Sequence, residues 1–145
     1  MGYKQCGLSQ SSLNPQMPVQ AKFSTPFTVA CAVLFGEVTL RQFKTEIILS
    51  PKVQALMRKV TVRESDEFSE AYPAHWGCRV RMELKDGQMK EAKITDASGS
   101  VSMPLTQEQI KEKALALMDE IGPEQAGAIV NQILNLADLE KMPEI

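Results

Sequence analysis

The sequence predicts an α+β domain, a small antiparallel sheet of about three strands packed with helices. Three local patterns carry that expectation. An uncharged run, residues 27–35, follows a pair of helix-capping hydroxyl residues. Apolar and charged residues alternate on both sides of Asp86-Gly87, as in a hairpin. A late helical pattern opens on a Thr-x-x-Gln capping box at Thr106 and Gln109.

In chain order, residues 1–20 are rich in loop formers (Gly2, Gly7, Asn14, Pro15, Pro18) and show no periodicity. They read as an extended or disordered lead-in, with the domain itself over residues 21–145. Ser24 and Thr25 are good N-caps, because their hydroxyls accept from an orphan backbone N–H. Pro26 suits the first helical turn, where no N–H is needed. Nine uncharged residues follow, closed by Gly36. A helix apolar on every side must be buried on every side. A chain of 145 residues surrounds such a helix only partly, so a partner or a further part of the same protein is expected to cover the rest.

Thr39 can cap a short turn through Leu40 and Phe43. Ser50-Pro51 repeats the cap-plus-proline signal and opens a helix over residues 51 to about 58, with Val53, Leu56 and Met57 on one side. Residues 60–63 (Val-Thr-Val-Arg) alternate and are β-branched, which predicts a strand. Residues 66–72 suit a helical turn ending at Pro73, and residues 73–77 a loop.

The hairpin follows. Cys78, Val80, Met82 and Leu84 alternate with Arg79, Arg81 and Glu83, which predicts one buried and one wet face. A two-residue loop would set Val80 against Lys93 and turn Ala92 and Ile94 to the polar side. A three-residue loop, Lys85-Asp86-Gly87 with Gly87 left-handed, pairs Val80 with Ala92 and Cys78 with Ile94. The second register gathers the apolar residues, and it is the one predicted. After Thr106, Ile110, Ala114, Leu117, Met118 and Ile121 follow helical spacing. Gly122-Pro123 separates that helix from another with Ala126, Ile129, Val130, Ile133, Leu134 and Ala137 as its stripe. The two helices are expected to form a hairpin laid on one face of the sheet.

Lys+Arg 16 against Asp+Glu 18 makes the chain nearly neutral, which argues against a dedicated nucleic-acid binder. Residues 105–145 carry eight acidic and three basic side chains, a solvated-face pattern rather than an acidic tail. Cys6, Cys31 and Cys78 are odd in number and far apart, as free thiols of a reducing cytoplasm would be. One His and three scattered Cys do not make a structural metal site. Nine apolar residues are too few to span a bilayer, which takes about 20. No membrane association or signal peptide is therefore expected, and the location expected is the cytoplasm.

No phosphate loop, H-E-x-x-H, G-x-S-x-G or dinucleotide fingerprint occurs in the sequence. His75 beside Trp76 reads as a surface histidine, since nothing nearby in sequence orients it as a base. Glu64, Asp66 and Glu67 read as solvated charges, and Asp86 as a turn residue. Lys22 precedes the apolar helix, where backbone donors and the dipole favour an anion. With the Ser24 and Thr25 hydroxyls it can hold a carboxylate, although a plain cap beside a solvated lysine is the commoner arrangement. Lys22, Ser24 and Thr25 are thus the candidate binding residues. No catalytic, cofactor or metal residue is assigned.

The segment 21–38, with Lys22-Phe23-Ser24-Thr25-Pro26-Phe27, resembles the helix-opening segment of the C-terminal domain of the MmgE/PrpD family. Leu40-Arg41-Gln42-Phe43, Ser50-Pro51-Lys52-Val53, Val60-Thr61-Val62, Tyr72-Pro73, the strand at 78–84, Lys85-Asp86-Gly87 and Pro104-Leu105-Thr106 follow in the family's order. The resemblance covers about residues 20–140. The family includes 2-methylcitrate dehydratase, cis-aconitate decarboxylase and iminodisuccinate epimerase. It implies a cofactor-independent lyase or isomerase of small di- or tricarboxylates, in which a large helical domain supplies most active-site groups and a smaller α+β lid closes over them.

By that resemblance this chain matches the later part of the lid alone, an incomplete lid-type domain, and the family's catalytic positions have no counterpart in it. The expectation is a fragment or short form, inactive alone, whose carboxylate substrate is bound once a helical domain completes the site. The other reading is a non-catalytic interaction module that pairs with a helical partner subunit or with itself as a homo-oligomer. Whether the chain is an enzyme in its own right stays open between these two readings.

Overall fold

A computed structural model describes residues 13–136, which fall into two compact units meeting in sequence at Thr95 and Asp96. Of the expected lead-in, residues 1–12 lie outside the described residues. Its end holds a one-turn helix, α1 (Pro18–Ala21), with Pro18 at the first position. Helix α2 (Thr25–Phe35) starts where the capping pattern put it. Ser24 is the N-cap and its Oγ accepts from the Phe27 N–H at 3.2 Å. Gly36 ends the helix at φ 75°, a left-handed conformation that costs glycine little.

Thr39 and Gln42 form a capping box on a 3-10 turn, Leu40–Phe43. Two short helices follow, α3 (Thr45–Ile48) and α4 (Pro51–Met57). Ser50 Oγ caps α4 through the Val53 N–H, and the Gln54 side-chain amide donates to the Ile48 carbonyl at 2.7 Å. That bond fixes the turn between α3 and α4. The core of this unit is Ala21, Phe27, Ala30, Cys31, Ile48, Val53 and Met57, with Phe43, Ile47 and Leu56 packed at its edge. Phe27 and Phe43 meet at 5.4 Å between ring centroids, tilted by 50°, a favourable aromatic arrangement.

Burial along α2 is uneven. Pro26, Phe27, Ala30 and Cys31 are buried, whereas Val33, Leu34 and Phe35 in its last turn are 40–44% exposed. Val38 and Leu40 beyond it are exposed as well. The apolar helix is therefore covered over its first turns and open at its C-terminal end.

Residues 60–63 do not form the expected strand, and the sheet has two strands where about three were predicted. The β-branched residues favour an extended backbone, but a strand is completed only by a neighbour to pair with. Among the described residues no strand lies beside Val60-Thr61-Val62. Helix α5 (Asp66–Ala71) leads through the cis Tyr72-Pro73 bond to the hairpin of β1 (Cys78–Glu83) and β2 (Met89–Ile94).

The hairpin register is the predicted one: Val80 faces Ala92 and Cys78 faces Ile94. The Gly87 N–H donates to the Leu84 carbonyl, the Leu84 N–H donates to the Gln88 carbonyl, and Gly87 has φ 81°. Asp86 Oδ1 accepts from the Gln88 N–H, as a turn residue does. The faces alternate as expected, but neither is buried. Cys78, Val80, Ala92 and Ile94 are all exposed.

In the second unit, Gly99 (φ 89°) opens a turn in which the Met103 N–H donates to the Ser100 carbonyl and hydroxyl. The Thr106–Gln109 capping box starts α6 (Gln107–Leu117). A 3-10 turn, Asp119–Ile121, and Gly122 at φ 86° lead into α7 (Pro123–Leu134). Ala126 and Val130 are buried. Ala114, Met118, Ile129 and Leu134 of the predicted stripes are half-buried, but Ile110, Leu117, Ile121 and Ile133 are exposed. Two helices bury only the sides that face each other, so helical spacing alone overstated the buried set. Ala137 lies outside the described residues.

Two substitutions test this account. Phe27→Ala is expected to destabilise the first unit by about 3–5 kcal/mol in urea unfolding, the usual cost of emptying a buried aromatic site. Ser24→Ala is expected to cost about 1 kcal/mol through loss of the cap.

Candidate functional site

At the start of α2, the three candidate binding residues are brought together but used unequally. Ser24 is 1% exposed, and its hydroxyl is engaged by the Phe27 N–H. Pro26 offers no N–H, and the Thr28 N–H donates to the Ser24 carbonyl. Much of the donor capacity at this helix end is thereby spent inside the fold. Lys22 and Thr25 are exposed, so the ammonium and the Thr25 hydroxyl are the accessible polar groups there.

A second polar constellation lies between α5 and the hairpin, in a shallow cleft lined by Glu67, Phe68, Ala71, His75, Gly77, Lys93 and Thr95. Arg79 and Lys93 are register partners on the charged face, two like charges directly opposite each other. Such a pair is unfavourable unless a counter-charge intervenes. Glu67 of α5 supplies it. One carboxylate oxygen accepts from Arg79 at 2.9 Å and the other from Lys93. Next along the strands, Arg81 and Glu91 are register partners of opposite sign and are hydrogen-bonded, while Glu91 also lies 3.6 Å from Arg79.

The electrostatics follow from those contacts. The Lys93 hydrogen bond, with the charges of Lys93 and Arg79, holds the Glu67 carboxyl below its ordinary range. Arg81 does the same to Glu91, again chiefly through its hydrogen bond. Glu67, read from the sequence as a solvated charge, is exposed and in addition links α5 to both strands. The signal available was cross-strand, since the predicted register already set Arg79 opposite Lys93.

Gly77 makes the close approach possible. A Cβ at this position would sit 2.6 Å from the Ile94 carbonyl oxygen, 2.9 Å from that of Thr95 and 3.0 Å from the Phe68 ring. His75 lines the cleft beside Trp76, whose indole N–H donates to the Pro73 carbonyl and whose ring packs on Tyr72.

Cys31 is buried in the core and its thiol is pushed up to about 11 by burial, whereas Cys78 is exposed on β1. Among the described residues no group of three or more His, Cys, Asp or Glu side chains comes together as metal ligands do. No described helix is long and apolar enough to cross a membrane.

Acidification provides one test. In the unfolded chain Glu67 and Glu91 titrate in the ordinary carboxylate range, about 4. Their folded values lie lower, so the stabilisation is present above that range and is lost as pH falls through the folded values. Thermal melts are expected to show a decline in stability below about pH 4 that is smaller in Glu67→Gln and at high salt. Gly77→Ala is expected to disturb the hairpin, read as lost amide protection in β1 and β2. Alkylation with iodoacetamide followed by peptide mapping should label Cys78 rapidly and Cys31 only after unfolding.

The sequence matches the MmgE/PrpD C-terminal domain over residues 2–137. It is 28% identical over 133 residues to the cis-aconitate decarboxylase-like protein oryM of Aspergillus oryzae, covering 90% of this chain and 27% of that protein. It is 22% identical over 127 residues to cis-aconitate decarboxylase of Mus musculus, covering 87% of this chain and 26% of that one. The chain thus spans about a quarter of the length of these curated relatives. With a match that takes in nearly all of its length and the capped helix, helical turns and hairpin described above, the chain belongs to the MmgE/PrpD C-terminal domain family.

Proposed function

We propose that this chain is the lid-type part of a cofactor-independent lyase acting on a small di- or tricarboxylate of the cis-aconitate kind. The chain does not catalyse the reaction alone. The observation that carries the reading is the family match, together with two relatives named as cis-aconitate decarboxylase or its like. Chemistry of this class removes a proton or a carboxylate group next to another carboxylate. It needs an acid–base group at the reacting carbon and cations that hold the remaining charges.

The structure supports a contributing rather than a complete role. Lys22 and Thr25 are accessible at the start of α2 and suit a substrate carboxylate, with Ser24 holding the helix end beneath them. The open end of α2, with Val33, Leu34 and Phe35 together with Val38 and Leu40, suits contact with a helical domain that carries the acid–base groups. This reading locates the protein in the cytoplasm.

The test is consumption of cis-aconitate and of methylcitrate, followed by NMR, with the chain alone and after addition of a purified helical domain of the family. No turnover alone and turnover with the added domain are expected. Turnover by the chain alone would overturn the lid assignment. Lys22→Ala is expected to raise KM in the reconstituted system by roughly tenfold, the loss of one charge-assisted contact worth about 1.4 kcal/mol. An unchanged KM would remove Lys22 from the site.

The second reading, a non-catalytic interaction module, is favoured by the same open end of α2. Binding of the helical domain without any turnover of either acid would support it over the enzymatic one.

A further inference from the structure

We infer that the outer edge of β2 is a self-recognition surface, on which a second copy of this chain pairs antiparallel about a two-fold axis at Ala92. The inference rests on the hairpin's register and charge order and is independent of the lyase reading.

The sheet has only β1 and β2, so among the described residues each strand has an outer edge with no strand beside it. Two strands are few for a stable sheet, whose usual size is about 4–6. The direction of each backbone group follows from the loop. Leu84 donates to Gln88 across the hairpin, which makes this a hydrogen-bonded pair. Such pairs alternate along an antiparallel ladder. Lys90, Ala92 and Ile94 therefore direct their N–H and C=O groups to β1, and Glu91 and Lys93 direct theirs outward.

An antiparallel copy centred on Ala92 sets Glu91 against Lys93 of the second copy, and Lys93 against Glu91. Both pairs fall at hydrogen-bonding positions, so each exchanges two backbone bonds as well as opposite charges. Ala92 meets Ala92 at the non-hydrogen-bonded position, where the Cα atoms come closest and a small residue fits. Lys90 falls opposite Ile94, so no like charges are opposed. Charged edge residues ordinarily deter strand pairing. Here their signs alternate so that the edge complements itself.

The other registers oppose like charges or pair less of the strand. On β2, centring on Lys90, Glu91 or Lys93 opposes each residue to its own copy. On β1, centring on Val80 opposes Arg79 to Arg81. Centring on Met82 matches Arg81 with Glu83 but pairs only residues 81–83 within the strand, because β1 ends at Glu83 and Lys85 belongs to the loop. Like charges directly opposite are destabilising. The Ala92 register joins complementary charges over five strand residues, 90–94, without opposing any.

Pairing at Ala92 also completes features already present. It makes a four-stranded sheet in the order β1, β2, β2, β1. The exposed Val80 and Ala92 of both copies then form one continuous apolar row, flanked by Cys78 and Ile94. On the opposite face, the Arg81–Glu91 pair extends to Lys93 of the second copy.

Sedimentation equilibrium of the 145-residue chain is expected to show a dimer. Ala92→Lys opposes two ammonium groups at the axis while leaving the exposed site open within one copy, and is expected to give a monomer with unchanged far-UV circular dichroism. Ala92→Cys, with Cys6 and Cys78 replaced by Ser, should form an intermolecular disulfide under mild oxidation. Val80→Cys in the same background should not, because β1 lies away from the axis. A wild-type monomer at the highest attainable concentration overturns the proposal, as does a dimer that survives Ala92→Lys or a cross-link only at position 80.

Discussion

The first unit is organised by burial of one end of a helix that has no polar face. Phe27, Ala30 and Cys31 recur at helical spacing and enter the same core as Ile48, Val53 and Met57. Ser24 makes that burial tolerable. Its hydroxyl accepts from the Phe27 N–H, so the helix end enters the core with this donor satisfied. The capping of α4 by Ser50 and the Gln54–Ile48 bond then hold the opposing wall in place. Each of these polar contacts serves the packing of Phe27, and the Phe27–Phe43 contact extends that packing to the 3-10 turn.

The local signals in the sequence were faithful wherever structure is decided by a few neighbouring residues. The Ser24, Thr39, Ser50 and Thr106 caps are all formed, and Gly36 and Gly87 take the left-handed conformations their positions required. The hairpin register followed from matching side-chain faces across a three-residue loop. What failed depended on distant neighbours. Val60-Thr61-Val62 has strand composition but no partner strand among the described residues. Ile110, Leu117 and Ile133 have helical spacing but are exposed. Periodicity reports which side of an element is apolar, and leaves open whether anything lies against it.

The candidate site shows the same division. Lys22, Ser24 and Thr25 were legible because a helix start concentrates donors and positive potential in a few consecutive residues. Their unequal use was not legible, since it depends on Ser24 being drawn into the core. Glu67 was missed for a related reason: a carboxylate twelve residues before Arg79 and twenty-six before Lys93 carries no local mark of its partners. The family likeness added what no local pattern contains, namely that a segment of this kind makes up about a quarter of the length of its relatives.

The placement of Glu67 has a consequence for how the hairpin can exist. Its two strands bring Arg79 and Lys93 face to face, and the neutralising group is borne by a helix outside the ribbon. Excised as a peptide, residues 77–95 would keep the turn chemistry and the Arg79–Glu91 contact, yet lose the carboxylate that bridges Arg79 and Lys93. Recombination or proteolysis between α5 and β1 would thus separate the Arg79–Lys93 pair from its bridging carboxylate.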